Sequence, residues 1–175
     1  MRVTYMWLRK RLSASSKQLM LVTALICLPI TTRMERVSTA VPGPQQPDAR
    51  AVRLRRFLLK LHCPVSYLAE DFVHAADDNQ LDWRLLPSIS VIESGGGKAY
   101  KNNNIFGWKN GEAFFPTLRA GLHQVAFKLG KSSLYQNRDS MAKLRLYNPD
   151  ETYPDAVMSV MNRIAPGPQL AAEAR

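Results

Sequence analysis

An apolar run that stops at one acid and three glycines constrains this chain more than any other stretch. Leu85, Leu86, Ile89 and Ile92 recur at helical spacing, and the run closes in Glu93-Ser94-Gly95-Gly96-Gly97. A helix that is apolar around much of its circumference belongs in a core. Its C-terminal end therefore carries Glu93 out of the most apolar element of the domain, and the glycines let the backbone turn where side chains would obstruct it. Burial there would raise the carboxyl pKa and favour the protonated form that a general acid needs near neutral pH. Taken by itself, a glutamate beside three glycines fits a solvated helix end as well as a cleft.

The flanking periodicity predicts a helical domain. Leu54, Phe57, Leu58 and Leu61 mark one face of a helix over residues 51–61, with Arg53, Arg55, Arg56 and Lys60 on the other side. These cations solvate an outer face or hold an acidic wall polymer. Pro64 opens a second helix through Ala76. Asp82 is the expected N-cap of the third, Trp83 to Glu93, with Pro87 in its first turns, where proline is best tolerated. Pro116-Thr117 begins a helix to Leu129, a further one covers about Asp139 to Leu146, and the last runs from Tyr153 to Ile164. Asn110-Gly111 between apolar residues is a strong hairpin signal and predicts a small β-hairpin beside Glu93. Trp108, at its lip, has two open roles, stacking on sugar faces or covering core. His74 and His123 have no partner at metal-ligand spacing and read as structural.

Composition separates a leader from this domain. Residues 1–40 carry seven Lys/Arg and one acid, so most of the formal charge of +10 lies there, and residues 41–175 keep a net of +4. That modest charge disfavours nucleic-acid binding. Leu19 to Ile30 is an apolar run of 12 residues, shorter than the roughly 20 of a membrane span. It fits the core of a signal peptide with cleavage after Ala40, or an uncleaved signal-anchor, and both stay open. The expected organisation is a signal peptide or signal-anchor over 1–40, a proline-rich linker over 41–50, a folded domain over 51–165 and a flexible tail over 166–175. Cys27 and Cys63 make neither a disulfide framework nor a zinc site. Cys63 reads as a small buried residue.

Three ordered blocks carry a resemblance. They are Ile89-Ser90-Val91-Ile92-Glu93-Ser94-Gly95-Gly96, then Asn103-Asn104-Ile105-Phe106-Gly107-Trp108-Lys109, then Tyr147-Asn148-Pro149-Asp150-Glu151-Thr152-Tyr153. Together, over about Pro64 to Ile164, they resemble the lysozyme-like superfamily. Within it they are similar to the glucosaminidase-type peptidoglycan hydrolases, namely glycoside hydrolase family 73 and the mannosyl-glycoprotein endo-β-N-acetylglucosaminidase-like domain. Pro149 departs from the threonine usual in the third block. Ile105-Phe106-Gly107-Trp108 stands where lytic transglycosylases carry a Gly-Leu-Met-Gln block, which favours the glucosaminidase branch.

The resemblance implies a mainly α fold, the α+β lysozyme-like kind, with a hairpin lobe beside an active-site cleft. It implies an exported hydrolase of the peptidoglycan backbone or a related N-acetylhexosamine polymer, with Glu93 protonating the glycosidic oxygen. Ser94, Asn104, Phe106 and Tyr147 would line the sugar cleft, and Asn103 and Trp108 add an amide and a flat ring of the kind a glycan cleft wants. No cofactor, metal or nucleic acid is implied. The chain is expected to be monomeric, to sit in the periplasm or cell envelope, and to touch a membrane through its N-terminal segment alone. Breaking an acetal needs a proton on the leaving oxygen and stabilisation of an oxocarbenium-like centre. The second carboxylate is open: Glu112 is either a base facing Glu93 or a solvated turn residue, and Asp150 holds the motif aspartate position. Without a second acid, the N-acetyl group of the substrate or a 1,6-anhydro route completes the reaction. A non-catalytic glycan-binding domain on the same fold is the alternative.

Overall fold

The computed structural model describes residues 46–167. The leader over 1–40, the linker residues 41–45 and the tail residues 168–175 lie outside them. Six α-helices follow in order: α1 (Ala49–Lys60), α2 (Ala69–Asp78), α3 (Leu85–Ser94), α4 (Leu118–Lys131), α5 (Ser140–Tyr147) and α6 (Tyr153–Ile164), with a 3₁₀ turn at Pro64–Leu68 before α2. The mainly α expectation holds among these residues.

Local chemistry sets the helix ends. The Asp48 carboxylate accepts from Arg50 N at 2.7 Å, so α1 begins two residues before the expected domain boundary. Thr117 and Asp139 cap α4 and α5 through Ala120 N and Ala142 N, at 3.0 and 2.7 Å. The helix expected from Pro64 to Ala76 divides in two. Val65 N donates out of the helical register to Gly96 O at 3.3 Å, which holds the first turn as a 3₁₀ segment.

α3 is the centre. Leu85, Leu86 and Ile89 are buried at 1% exposure or less, and α3 packs most extensively on α6, where Val157, Val160, Met161 and Ile164 face inward. Ile92 differs from expectation: residues Leu85 to Ser90 are buried on every side of α3, but Ile92, in the last turn, is 40% exposed. Asp82 is not the N-cap of α3. Its carboxylate accepts from Arg84 N and Nε, each at 2.9 Å, and from Arg84 Nη2 at 2.5 Å. Arg84 Nη1 then donates to Ala165 O at 2.7 Å, so this pair fastens the start of α3 to the end of α6.

The expected β-hairpin at Asn110-Gly111 is absent, and no strand occurs among the described residues. Lys109, Asn110 and Gly111 all take positive φ, of 53°, 55° and 81°. Asn-Gly does supply the left-handed backbone that a tight hairpin turn needs. Extending that conformation to Lys109 coils the chain into local bonds, Gly111 N to Gly107 O at 2.8 Å and Glu112 N to Lys109 O at 3.0 Å. The Asn104 amide then occupies the Trp108 backbone, donating to its carbonyl at 2.9 Å and accepting from its N–H at 3.0 Å. A side chain has taken the place of a partner strand. Asn103 closes the base of the loop by donating to Phe115 O and Pro116 O at 2.9 and 3.2 Å.

Burial alone would raise the Asp82 pKa, but its bonds to Arg84 outweigh this and hold it below the ordinary carboxylate value. A depressed folded-state pKa contributes stability above the unfolded value of about 3.9, and that contribution fades as pH falls through the folded value. Asp82→Asn is therefore expected to cost roughly 2–3 kcal/mol at pH 7. In urea melts repeated down to strong acid, its deficit against the native chain should shrink toward zero. A deficit independent of pH would contradict this.

Candidate active site

Glu93 sits on the last turn of α3, and the turn behind it is fixed from three sides. Gly95 takes φ +62°, and Gly95 N and Gly96 N return to Val91 O and Ser90 O at 3.0 and 2.9 Å. A Cβ at Gly96 would stand 2.4 Å from Cys63 Sγ, and one at Gly97 would stand 2.7 Å from Val65 Cγ1. These glycines are therefore buried against the α1–α2 connection rather than open to a ligand. Ser94 Oγ lies 2.9 Å from both Ser90 O and Ile105 O and accepts from Gly97 N at 3.0 Å, which ties the helix end to the following loop.

In front of Glu93 lies an open cleft of about 700 Å³. One wall is the coiled loop Gly107-Trp108-Lys109-Asn110-Gly111; the other is Tyr135, Tyr147, Asn148 and Pro149. Among these lining residues Glu93 is the single carboxylate and Lys109 the single cation. Gly107 makes the approach possible. Its φ is +63°, and a Cβ there would come within 2.2 Å of Glu93 Oε2.

The tyrosine wall is one aromatic cluster. Trp108 meets Tyr147 edge-on with ring centroids 5.5 Å apart, and Tyr147 stacks on Tyr153 at 5.9 Å with planes 7° apart. Tyr135 adjoins Trp108 at 6.2 Å. The Tyr147 hydroxyl donates to Phe106 O. The Tyr153 hydroxyl is buried and approaches the Glu93 carboxylate without reaching the geometry of a full hydrogen bond. Burial first, then the approach of its hydroxyl to the Glu93 carboxylate and that group's charge, push the Tyr153 phenol far above its ordinary value; burial and then the Glu93 charge raise Tyr147. Both phenols stay protonated through the neutral range and are hydrogen-bond donors beside an acid.

Of the residues expected in the cleft, Glu93, Trp108 and Tyr147 line it. Ser94, Asn104 and Phe106 are buried at 5%, 4% and 0% exposure, with Ser94 and Asn104 committed to the bonds above and Phe106 packed edge-on against Phe72. Asn103 borders a different cavity, with Tyr67, Tyr100 and Thr117. Glu112 is exposed just beyond Gly111 and is not among the lining residues. The Asp150 carboxylate accepts from Thr152 N and Oγ1 at 2.9 and 2.8 Å, bonds that lower its pKa and shape the turn into α6. Besides Gly107 and Lys109-Asn110-Gly111 of the loop, Tyr135, Asn148 and Pro149 line the cleft and Tyr153 stacks behind Tyr147 without assignment from sequence. Tyr153 closes the Tyr-x-x-Asp-x-x-Tyr block and was legible there, whereas Tyr135 lies in a loop with no periodic signal. Among the described residues, no three His, Cys, Asp or Glu side chains gather to hold a metal.

No family model matches the chain, and no curated protein is significantly similar to it in sequence.

Gly107→Ala and Gly111→Ala separate strain from collision. Each forces alanine into a left-handed position, at about 1–2 kcal/mol. At Gly111 the nearest atom to the added Cβ is Lys101 Cε at 3.7 Å, so strain is the whole effect there. Gly107→Ala should melt lower than Gly111→Ala, because it also displaces the Glu93 carboxylate. Equal melting temperatures would refute the close approach.

Proposed function

We propose that this chain is a glycoside hydrolase acting on the β-1,4 backbone of peptidoglycan, of the endo-β-N-acetylglucosaminidase type, with Glu93 as general acid. The observation that carries this reading is a lone carboxylate at the end of a buried helix, facing an open cleft whose opposite side is aromatic and phenolic. Sugars present flat C–H faces that pack on rings such as Trp108 and Tyr135. Their hydroxyl and N-acetyl groups suit donors such as the Lys109 ammonium and the Asn110 and Asn148 amides. The resemblance of the three sequence blocks points to the same chemistry. The N-terminal apolar segment, as signal or anchor, would deliver the domain to the envelope, where such a polymer lies.

With Glu93 as the single acid among the lining residues, no second carboxylate is required if the substrate supplies the nucleophile. Glu93 gives its proton to the glycosidic oxygen as the C1–O bond breaks. The N-acetyl oxygen of the same sugar then closes on C1, and water opens the resulting oxazolinium ring, returning a proton to Glu93. Attack by the sugar's own 6-hydroxyl is the second route that one carboxylate permits, and its product is lighter by one water. Mass spectrometry of a peptidoglycan digest distinguishes reducing-end GlcNAc, reducing-end MurNAc and anhydro fragments. Glu93→Gln is expected to lower product formation by about 10²–10⁴-fold, the range for losing a general acid. Turnover unchanged in this variant would eliminate the proposal.

Tyr153→Phe tests the wall beside the acid. Removing a buried hydroxyl that stops short of a full bond to Glu93 relieves a desolvation cost, so the melting temperature should hold or rise slightly. The pH profile of glycan cleavage should move if that phenol contacts Glu93 during turnover. A fall in stability would show that the hydroxyl is bonded after all.

A further inference from the structure

The outer face of α1 is an unpartnered cationic surface. Arg53, Arg55, Arg56 and Lys60 are all exposed, and α1 contains no acidic residue. Among the described residues the ion pairs involve Arg50, Arg84 and Arg119, so none of these four is bonded to a carboxylate. At 3.6 residues per turn they flank a central strip formed by Val52 and Leu59, themselves 44% and 56% exposed. Beside Val52, a groove of about 810 Å³ runs between the Gln46-Pro47 segment and Arg53 and Arg56.

We propose that this face of α1 lies on an anionic lipid bilayer, with Val52 and Leu59 entering the interface and the four cations meeting headgroup phosphates. Aliphatic side chains between arginines form the pattern of an interfacial helix. A glycan would instead be met by flat aromatic rings, and the one aromatic residue of α1, Phe57, is half-buried with the Arg163 guanidinium 5.7 Å above its ring. In the sequence this helix follows a basic leader and the Leu19–Ile30 apolar run, so a second lipid-seeking feature precedes it. The membrane contact thereby extends beyond the N-terminal segment, and this inference does not depend on the glycosidase reading. Each cation near an anionic leaflet strengthens binding by roughly fivefold.

The test uses the full chain with Cys27→Ser, Cys63→Ala and Leu59→Cys, labelled with a polarity-sensitive nitrobenzoxadiazole. Circular dichroism verifies that helical content is retained. Vesicles are phosphatidylcholine alone or with one third phosphatidylglycerol, and sedimentation reports bound chain in each sample. With anionic vesicles the label should shift to the blue and at least about double in emission. The same label at Gln124, exposed on α4, should stay water-like. Adding Arg53→Gln, Arg55→Gln, Arg56→Gln and Lys60→Gln should remove the shift and weaken vesicle partitioning by about tenfold or more. A Leu59 label that stays water-like on sedimented anionic vesicles overturns the proposal. So does a shift of equal size on neutral vesicles or in the four-fold variant, or one seen with isolated cell-wall polymer but not with lipid.

Discussion

The position of one carboxylate rests on the way α3 is stopped. A helix end left to itself frays, because its last carbonyls lack partners. Here the left-handed glycine turn satisfies Ser90 O and Val91 O, and the Ser94 hydroxyl bridges to Ile105 O and Gly97 N. Cys63 and Val65 press on Gly96 and Gly97 closely enough to exclude any larger residue. α3, the α1–α2 connection and the cleft loop are thus joined at one buried knot. Glu93 projects from it with little freedom, and Gly107 admits its carboxylate to the opposite wall.

Most of the helices were legible because their signals are local. The 3.6-residue spacing of Val157, Val160, Met161 and Ile164 marks the body of α6, and the expected starts near Thr117 and Asp139 fall where those side chains cap α4 and α5. The cleft loop was misread because its decisive bonds involve side chains. Asn-Gly encodes positive φ, which the structure bears out at Asn110 and Gly111, but nothing in that dipeptide says whether strands will pair on either side. The Asn104 amide settled the matter by occupying the Trp108 backbone. Ser94, Asn104 and Phe106 illustrate a related limit. A polar or aromatic residue inside a motif can serve the fold that shapes a site without touching what enters it, and spacing alone does not separate the two.

The same distinction clarifies the glycines. Three in a row after an acid suggest open backbone ready for a ligand, yet Gly96 and Gly97 are buried. The glycine that matters to the cleft is Gly107, isolated between Phe106 and Trp108. Its role depends on proximity to a residue fourteen positions earlier, which no local pattern reports.

A cleft with one carboxylate places unusual weight on its uncharged donors. Two acids can divide the tasks of protonating the leaving oxygen and stabilising the cationic centre. With Glu93 alone among the lining residues, the proposed glycosidase reaction leaves the second task to the substrate or to fixed dipoles. The Tyr147 and Tyr153 phenols, buried and held protonated, are such dipoles, and Tyr153 still has a donor to give. A buried unbonded hydroxyl is costly in a resting fold. Beside Glu93, a small movement of either side chain completes the bond. The aromatic stack Trp108–Tyr147–Tyr153 holds that donor in place beside the Glu93 carboxylate.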